Sequence, residues 1–188
     1  MVKYPMDTIS FHKLSWQDVE RDCIGLARTI PPDSIDTIVA ISRGGLVFAR
    51  ILSDLLNKPI SHITITSYDD LQKTKVPFID ETPSKMFRGE SILIVDEICD
   101  TGKTFERAKS YFENFPLRKI FTATPYLKPH ATFVPDFWVK KVEGWIVFPY
   151  ELRETAEAIQ KMTGDREKTV ERLTAIGFEE WETEAVVK

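Results

Sequence analysis

The side chains best suited to chemistry lie between positions 96 and 104, directly after a run of apolar residues. Asp96 and Glu97 follow Ile92–Val95, and after two further residues the chain reads Asp100-Thr101-Gly102-Lys103-Thr104. A phosphate group is best bound by backbone N–H groups, a hydroxyl and a helix N-terminus. Residues 101–104 supply all three, and a glycine among them lets the backbone approach the ligand closely. These residues predict a phosphate-binding turn at the start of a helix.

The acids of the same segment indicate a second kind of ligand. Asp96 and Glu97 suit ribose hydroxyls, bound either directly or through hydrated Mg²⁺, so we expect them to be the metal ligands as well. An acidic loop with an N-capping aspartate would explain Asp100 but not two further acids at the end of a buried strand. Three neighbouring acids there are costly unless a cation or a polyol compensates them.

A second glycine-containing turn follows an earlier strand. Ser42-Arg43-Gly44-Gly45 comes directly after Thr37–Ile41. A simple turn from strand to helix would need only the two glycines, whereas Arg43 adds a forked cation that suits a diphosphate. We therefore expect this turn to bind phosphate too.

Both turns belong to a chain in which strands alternate with helices. Short β-branched runs predict strands, and amphipathic stretches between them predict helices; the predicted strands are Thr37–Ile41, Ile60–Ser67, Ser91–Val95, Lys119–Thr124 and Trp145–Phe148. This alternation predicts an α/β fold, a parallel twisted sheet flanked by helices. Ligands of such sheets bind beyond the carboxyl ends of the strands, where both turns lie.

Two regions depart from this alternation. Tyr68–Glu90 is polar with little periodicity, and long connections of this kind are usually functional lids or disordered segments. After Tyr150 the pattern becomes helical again, which predicts two or more packed helices. We expect residues 1–154 to form one domain with its core sheet, and residues 155–188 to form a C-terminal helical extension packed on it.

Composition excludes several classes of protein. The chain has 188 residues, 43% of them hydrophobic, and a net charge of −4. This acidity argues against general DNA binding. No stretch has the ~18 apolar residues of a membrane helix, and the N-terminus lacks the apolar core of a secretory signal. Two isolated cysteines favour reduced thiols, so we expect a cytoplasmic protein without membrane or DNA partners.

The segment from Ile92 to Thr104 resembles the PRPP-binding signature of type I phosphoribosyltransferases, where PRPP is 5-phosphoribosyl-1-pyrophosphate. It departs from the family pattern in Glu97, where many members carry a second Asp. The turn at Ser42 resembles the family's pyrophosphate loop, which often contains a non-proline cis peptide. The resemblance implies the family fold with a small hood, Mg²⁺ as cofactor and Asp100 as general base. It also implies a set of PRPP-binding residues: Ser42, Arg43, Gly44, Asp96, Glu97, Asp100, Thr101, Gly102, Lys103 and Thr104.

Further segments are similar to the 6-oxopurine members, the xanthine–guanine and hypoxanthine enzymes. Ser67 and Tyr68 are the first residues of the long connection, which the resemblance identifies as a lid over the reaction centre. Lys128 stands where a family lysine contacts the oxygen at C6 of the base. Trp145, Ile146 and Glu151 stand in a segment that resembles the family's base-binding segment.

The chemistry of the last segment is also apparent from its residues alone. A purine needs an aromatic platform and a few contacts at its polar edge. Trp145 can be the platform, while the Ile146 carbonyl and the Glu151 carboxylate can accept from the base. Two alternatives stay open: the aromatic run can be only a core strand, or Trp138 can be the stacking ring. The histidines show no ligand spacing and receive no role.

These observations predict an enzyme that transfers ribose phosphate from PRPP to guanine, xanthine or hypoxanthine and releases pyrophosphate. We expect it to be a homo-oligomer, either a dimer or a tetramer. One alternative is a regulatory protein of the same fold that only binds PRPP or nucleotides; the net acidity of the chain argues against it. A phosphoribosyltransferase for a pyrimidine base is the nearer alternative, and Lys128 and the Trp145 segment argue against it.

Overall fold

The computed structural model describes residues 10–68 and 76–187, which contain nine strands and six α-helices. The strands are β1 (Phe11–Lys13), β2 (Thr37–Ser42), β3 (Ile60–Tyr68), β4 (Val76–Glu81), β5 (Ser91–Val95), β6 (Ile98–Cys99), β7 (Lys119–Leu127), β8 (Phe137–Lys141) and β9 (Trp145–Val147). The helices are α1 (Trp16–Ala27), α2 (Gly45–Leu56), α3 (Lys103–Phe112), α4 (Leu152–Thr163), α5 (Arg166–Ile176) and α6 (Glu180–Val186). All of these helices are too short or too polar to span a membrane.

Seven strands form the main sheet, in the order β4-β3-β2-β5-β7-β6, with β8 also paired to β7. All pairings are parallel except the antiparallel pair β3–β4. Strand β5 is buried along its whole length, which explains why its sequence is continuously apolar. The predicted α/β fold, a largely parallel sheet flanked by helices, is confirmed.

Contacts divide the chain into two compact units. The larger unit runs from Glu20 to Val142 and contains the seven-stranded sheet. The smaller unit combines the residues up to Val19 with those from Glu143 onward. The predicted boundary at residues 154 and 155 stays a prediction.

The core of the larger unit is built from the apolar strands and the buried face of α3. Phe105, Ala108 and Phe112 lie on that face at helical spacing and are 1% exposed or less. The Phe87 and Phe112 rings meet edge to face, with their centroids 5.5 Å apart. Helix α3 is thereby fixed against the sheet, and with it the turn at its N-terminus.

The smaller unit contains a two-stranded parallel sheet, β1 with β9, and the three C-terminal helices. Val147, Ala156, Ile159, Leu173 and Phe178 form its buried cluster. Asp165 is the N-cap of helix α5, and its carboxylate accepts from the Lys168 N–H at 2.9 Å. Gly177 is the C-cap of the same helix. The prediction of two or more helices after Tyr150 is confirmed.

Helix α1 follows an N-cap at Ser15. The Ser15 hydroxyl oxygen accepts from the Asp18 N–H at 3.1 Å, and the Asp18 carboxylate accepts from the Ser15 N–H at 3.0 Å. Two of the N–H groups at the helix start are therefore satisfied reciprocally.

Three strand predictions need correction. The connection from Tyr68 to Glu90 is not irregular throughout, because Val76–Glu81 pairs with β3. Strand β7 does not end at Thr124 but continues through Pro125 to Leu127. The strand at Trp145 is not the last strand of the main sheet; it pairs with β1. In each case pairing with a neighbouring strand outweighs the weak local pattern.

Candidate active site

The predicted site residues of the larger unit follow the carboxyl ends of four strands. Ser42 ends β2, Asp96 follows β5, Asp100 follows β6 and Lys128 follows β7. The pairings β2–β5, β5–β7 and β6–β7 are all parallel, so these ends lie along one edge of the sheet. The structure thereby brings together the turns that the sequence marks as ligand-binding.

Two of these turns are in close contact. A Cβ atom added to Gly44 would lie 2.1 Å from Cδ of Glu97, so any larger residue would displace that carboxylate. The glycine is therefore required by the position of Glu97. The Ser42–Arg43 peptide bond beside it is cis.

Of the two acids after β5, Asp96 is buried and Glu97 is partly buried. Asp96 is 8% exposed, and its carboxylate accepts from the Glu97 N–H at 3.1 Å. Oε2 of Glu97 is buried and has no hydrogen-bond partner among the described residues. A buried acceptor without a donor costs free energy, so this position favours a ligand that donates hydrogen bonds or carries positive charge.

The turn from Asp100 to Thr104 leads into α3. Gly102 has φ of 95°, which only glycine adopts without strain, and a Cβ there would lie 2.3 Å from Cβ of Phe133. Its N-cap, Gly102, has no side chain to cap the helix, and the Thr101 hydroxyl accepts from the Lys103 N–H at a long 3.4 Å. The N-terminus of α3 therefore suits an anionic ligand.

A second turn, residues 128–133, is held against the first by backbone and side-chain contacts. The Lys128 N–H donates to the Cys99 carbonyl at 2.9 Å, and the Thr132 N–H donates to the Thr101 carbonyl at 3.0 Å. The Thr132 hydroxyl donates to the same carbonyl at 2.9 Å. Two anchors four residues apart therefore fix this turn beside the phosphate-binding turn.

Lys128 is the buried cation of this edge. It is 8% exposed, although lysine is almost never buried without compensation. Burial lowers the pKa of Lys128, and the charge of Asp100 acts in the opposite direction. The structure thus places the ammonium in the electrostatic field of the predicted general base.

His130 was given no role from the sequence, and the structure places it at the predicted general base. Its Nε2 lies 2.9 Å from Oδ1 of Asp100. The two residues are 30 positions apart, and only its proximity to Lys128 could have drawn attention to it.

Both cysteines are buried and unpaired with each other. Burial raises the pKa of Cys99 to about 12, and the charges of Asp96, Asp100 and Glu106 add to the effect. Burial likewise raises the pKa of Cys23 to about 12, with Asp22 and Glu20 adding to it. Thiols of this kind are poor nucleophiles at neutral pH.

The predicted base-binding residues other than Lys128 belong to the smaller unit. Trp145 is half-buried and packs on the Val147 cluster. The Trp145 N–H donates to Ser10, and the Val147 carbonyl accepts from Leu14. Because backbone groups alternate in direction along a strand, Ile146 turns its carbonyl to the opposite edge of β9. Glu151 directly precedes α4.

Trp138, the alternative stacking residue, lies on β8 in the larger unit and is 37% exposed. The Lys141 ammonium lies 5.9 Å from the centroid of its ring. The choice between Trp145 and Trp138 stays a prediction.

The predicted lid is described only in part. The backbones of Ser67 and Tyr68 end β3, where they pair with Pro77 and Val76. Residues 69–75 lie outside the described residues.

The described residues contain no cluster of three or more His, Cys, Asp or Glu side chains that could hold a metal ion.

Comparison with known proteins agrees with this geometry. Residues 13–155 match the phosphoribosyl transferase domain. A xanthine-guanine phosphoribosyltransferase of Cereibacter sphaeroides is 32% identical over 152 residues, which are 76% of this chain and 87% of that protein.

Two solved structures are also similar. The purine phosphoribosyltransferase from Pyrococcus horikoshii is 32% identical with a TM-score of 0.68, covering 74% of this chain and 93% of that one. A hypothetical protein from Neisseria gonorrhoeae with bound ppGpp is 25% identical with a TM-score of 0.69, covering 77% and 90%. With this extent of similarity in sequence and fold, the chain belongs to the phosphoribosyltransferase family.

Proposed function

We propose that this phosphoribosyltransferase transfers the 5-phosphoribosyl group of PRPP to a 6-oxopurine and gives the nucleoside 5′-monophosphate and pyrophosphate. The observation that carries the proposal is the burial of Lys128 beside the turn of Asp100. A lysine can only donate hydrogen bonds, so it suits an oxo group at C6 of the base. The similarity to xanthine-guanine and purine phosphoribosyltransferases supports the same substrate class.

The PRPP-binding residues divide by chemistry. Thr101 to Thr104 offer hydroxyls and backbone N–H groups to the 5′-phosphate at the start of α3. Ser42, Arg43 and Gly44 bind the pyrophosphate, with the guanidinium as a bidentate donor. Asp96 and Glu97 accept from the ribose hydroxyls, which would satisfy Oε2 of Glu97.

In the transfer step, a purine nitrogen forms a bond to C1 of the ribose while the bond from C1 to the pyrophosphate oxygen breaks. The bonding pair leaves with the pyrophosphate, and positive charge builds on the ribose. The carboxylate of Asp100 takes the proton from N7 of the base as general base. The protein contributes orientation and preorganised charge, with Arg43 at the leaving group.

The acids after β5 also fit Mg²⁺. Carboxylate oxygens are its preferred protein ligands, and Oε2 of Glu97 is buried without a hydrogen-bond partner among the described residues. Mg²⁺ is usually held by one or two carboxylates, water and substrate phosphates, which agrees with a pair of acids here. Asp96 and Glu97 would hold it directly or through water, where it would neutralise charge on the pyrophosphate.

We assign base recognition to Lys128, Trp145, Ile146 and Glu151. Lys128 donates to O6, the Ile146 carbonyl and the Glu151 carboxylate accept from N–H groups of the base, and Trp145 stacks on the ring. The edge of β9 that faces away from β1 offers the Ile146 carbonyl for this purpose. The lid, which begins at Ser67 and Tyr68, would exclude water from the positively charged ribose.

Steady-state assays with PRPP, Mg²⁺ and a panel of bases test the proposal. We expect turnover with at least one of guanine, xanthine and hypoxanthine, and a much lower kcat/KM with adenine, uracil and orotate. Preference for adenine or a pyrimidine would overturn the base assignment and leave the PRPP site standing.

Regulatory nucleotide binding is the second candidate, favoured by the ppGpp bound to the similar Neisseria gonorrhoeae protein. Calorimetry with PRPP and with ppGpp separates the two. Tight ppGpp binding without turnover of any base would favour the regulator over the enzyme.

A further inference from the structure

We propose that His130 is a positioning residue for Asp100. Its Nε2–H donates to Oδ1 of the carboxylate and holds Asp100 in the orientation in which it accepts the proton of the base. The inference rests on the proposed function, because it concerns the general base of that reaction. It assigns to His130 a role that the family signature leaves open.

The backbone around both residues fixes the contact. Asp100 lies between Cys99 and Thr101, and the carbonyls of these two neighbours accept from Lys128 and Thr132 at 2.9 and 3.0 Å. His130 lies midway between those two donors. The Ala131 N–H also donates to the Lys128 carbonyl at 3.1 Å, which closes a turn. Each member of the pair is therefore flanked by hydrogen bonds to the segment that carries the other.

Contacts beyond the turn stabilise the same arrangement. The Phe133 ring stacks on Phe105 of α3, with centroids 5.7 Å apart and planes within 2° of parallel. The Phe133 carbonyl accepts from the Cys99 thiol at 3.3 Å. The segment that presents His130 is thus fixed to the helix that begins at the phosphate-binding turn.

The pair of His130 and Asp100 serves to orient the Asp100 carboxylate, because it contributes little to the stability of the fold. The two side chains are 59% and 62% exposed, and exposed ion pairs typically contribute little to stability. A general base, however, must lie within hydrogen-bond reach of the proton that it abstracts. A carboxylate free to rotate would satisfy that requirement only part of the time, so a donor on one oxygen directs the other toward the base.

Four variants test this role. His130→Ala removes the donor and should lower kcat about tenfold while KM for PRPP changes less than twofold. His130→Gln should recover most of the loss, since its amide nitrogen occupies the position of Nε2. His130→Asn should not, because its amide nitrogen stops at the position of Nδ1. His62→Ala is the matched control, since His62 forms an exposed pair with Glu81 at 3.5 Å outside the site.

A double-mutant cycle adds an independent test. If His130 acts through Asp100, His130→Ala should lower kcat no further in an Asp100→Asn background. Equal losses in both backgrounds would overturn the inference, as would unchanged kcat in His130→Ala. Nitrogen NMR of the His130 ring provides a readout without turnover. We expect the Nε2–H tautomer in the parent and a redistribution in Asp100→Asn.

Different results would refute the proposed function and the role of His130. A parent that uses no 6-oxopurine refutes the proposed function and, with it, the role of His130. An active parent whose His130 variants match it refutes only the inference.

Discussion

The two units hold their site residues in different ways. In the larger unit, Asp96, Asp100 and Lys128 follow parallel strands of one sheet, and the turns between them are joined by backbone hydrogen bonds. In the smaller unit, Trp145 and Ile146 lie on a three-residue strand with a single paired neighbour. We infer that the residues proposed to bind PRPP and to contact O6 of the base lie on the rigid sheet edge, whereas the residue proposed to stack on the base lies on the element with fewer constraints.

The largest effect should come from the rigid edge. Asp100→Asn keeps the shape of the turn but removes the proton acceptor, so kcat should fall ~10²- to 10⁴-fold. PRPP binding, measured by calorimetry, should remain within about threefold of the parent, since the phosphate ligands are untouched. Full activity in this variant would transfer the role of general base to another residue.

The preference for guanine over adenine should depend on Lys128, in the larger unit. Adenine presents a donor to Lys128, and an unpaired buried donor costs about 1 to 3 kcal/mol, a discrimination of roughly fivefold to 150-fold. Lys128→Gln should narrow the ratio of kcat/KM for guanine over adenine, because an amide can also accept.

Trp145→Ala, in the smaller unit, should lower kcat/KM roughly tenfold for every base, because stacking does not distinguish purines. Trp138→Ala is its control. A base-dependent loss in Trp145→Ala, or an equal loss in Trp138→Ala, would contradict the assignment of the platform.

A smaller effect, on KM for PRPP, is expected where the turn of Gly44 contacts Glu97. In Gly44→Ala the new Cβ would lie 2.1 Å from Cδ of Glu97, and the flexible carboxylate would move away. We expect KM for PRPP to rise about tenfold, the loss of one charged hydrogen bond, with little change in Tm.

Gly25→Ala is the control for the added methyl group, since its Cβ would meet Val139 at an ordinary 3.7 Å. Gly25→Ala should leave KM unchanged, and a helical Ala should raise Tm slightly. If KM for PRPP were equal in Gly44→Ala and the parent, Glu97 would not be a ribose ligand.

Burial and strand length decide which strands the sequence could predict. Strands β2 and β5 were predicted within one residue, because buried parallel strands require continuous apolar runs. Strand β4 was missed, since Val76–Glu81 contains a proline and an exposed Phe78 and resembles a loop locally. Strand β6, with two residues, is too short for any periodicity.

The candidate site was predictable where it depends on contiguous residues. Asp96 to Thr104 form one motif, so their common location follows from the sequence. The pair of His130 with Asp100 depends on two turns joined through β6 and β7, which no local pattern encodes. The burial of Oε2 of Glu97, which has no hydrogen-bond partner among the described residues, likewise depends on contacts distant in sequence, such as the close approach to Gly44.

The smallest effect is on the free energy of unfolding, and it comes from the burial of Lys128. Because the folded-state pKa of Lys128 is lowered, the folded chain binds fewer protons than the unfolded chain between the two pKa values. Stability therefore rises with pH across that interval, toward the ~10.4 of an ordinary lysine. Below it, both states are protonated and the full cost of the buried charge remains.

Lys128→Met removes this contribution while it keeps the apolar stem. The free energy of unfolding of the parent, relative to Lys128→Met, should therefore increase as the pH is raised from 7 toward 10. Urea titrations at several pH values measure it, and Lys161→Met, which removes an exposed lysine of α4, supplies the baseline for the loss of a charge. A difference that stays constant with pH, or falls, would mean that burial does not lower the pKa of Lys128 in the folded chain.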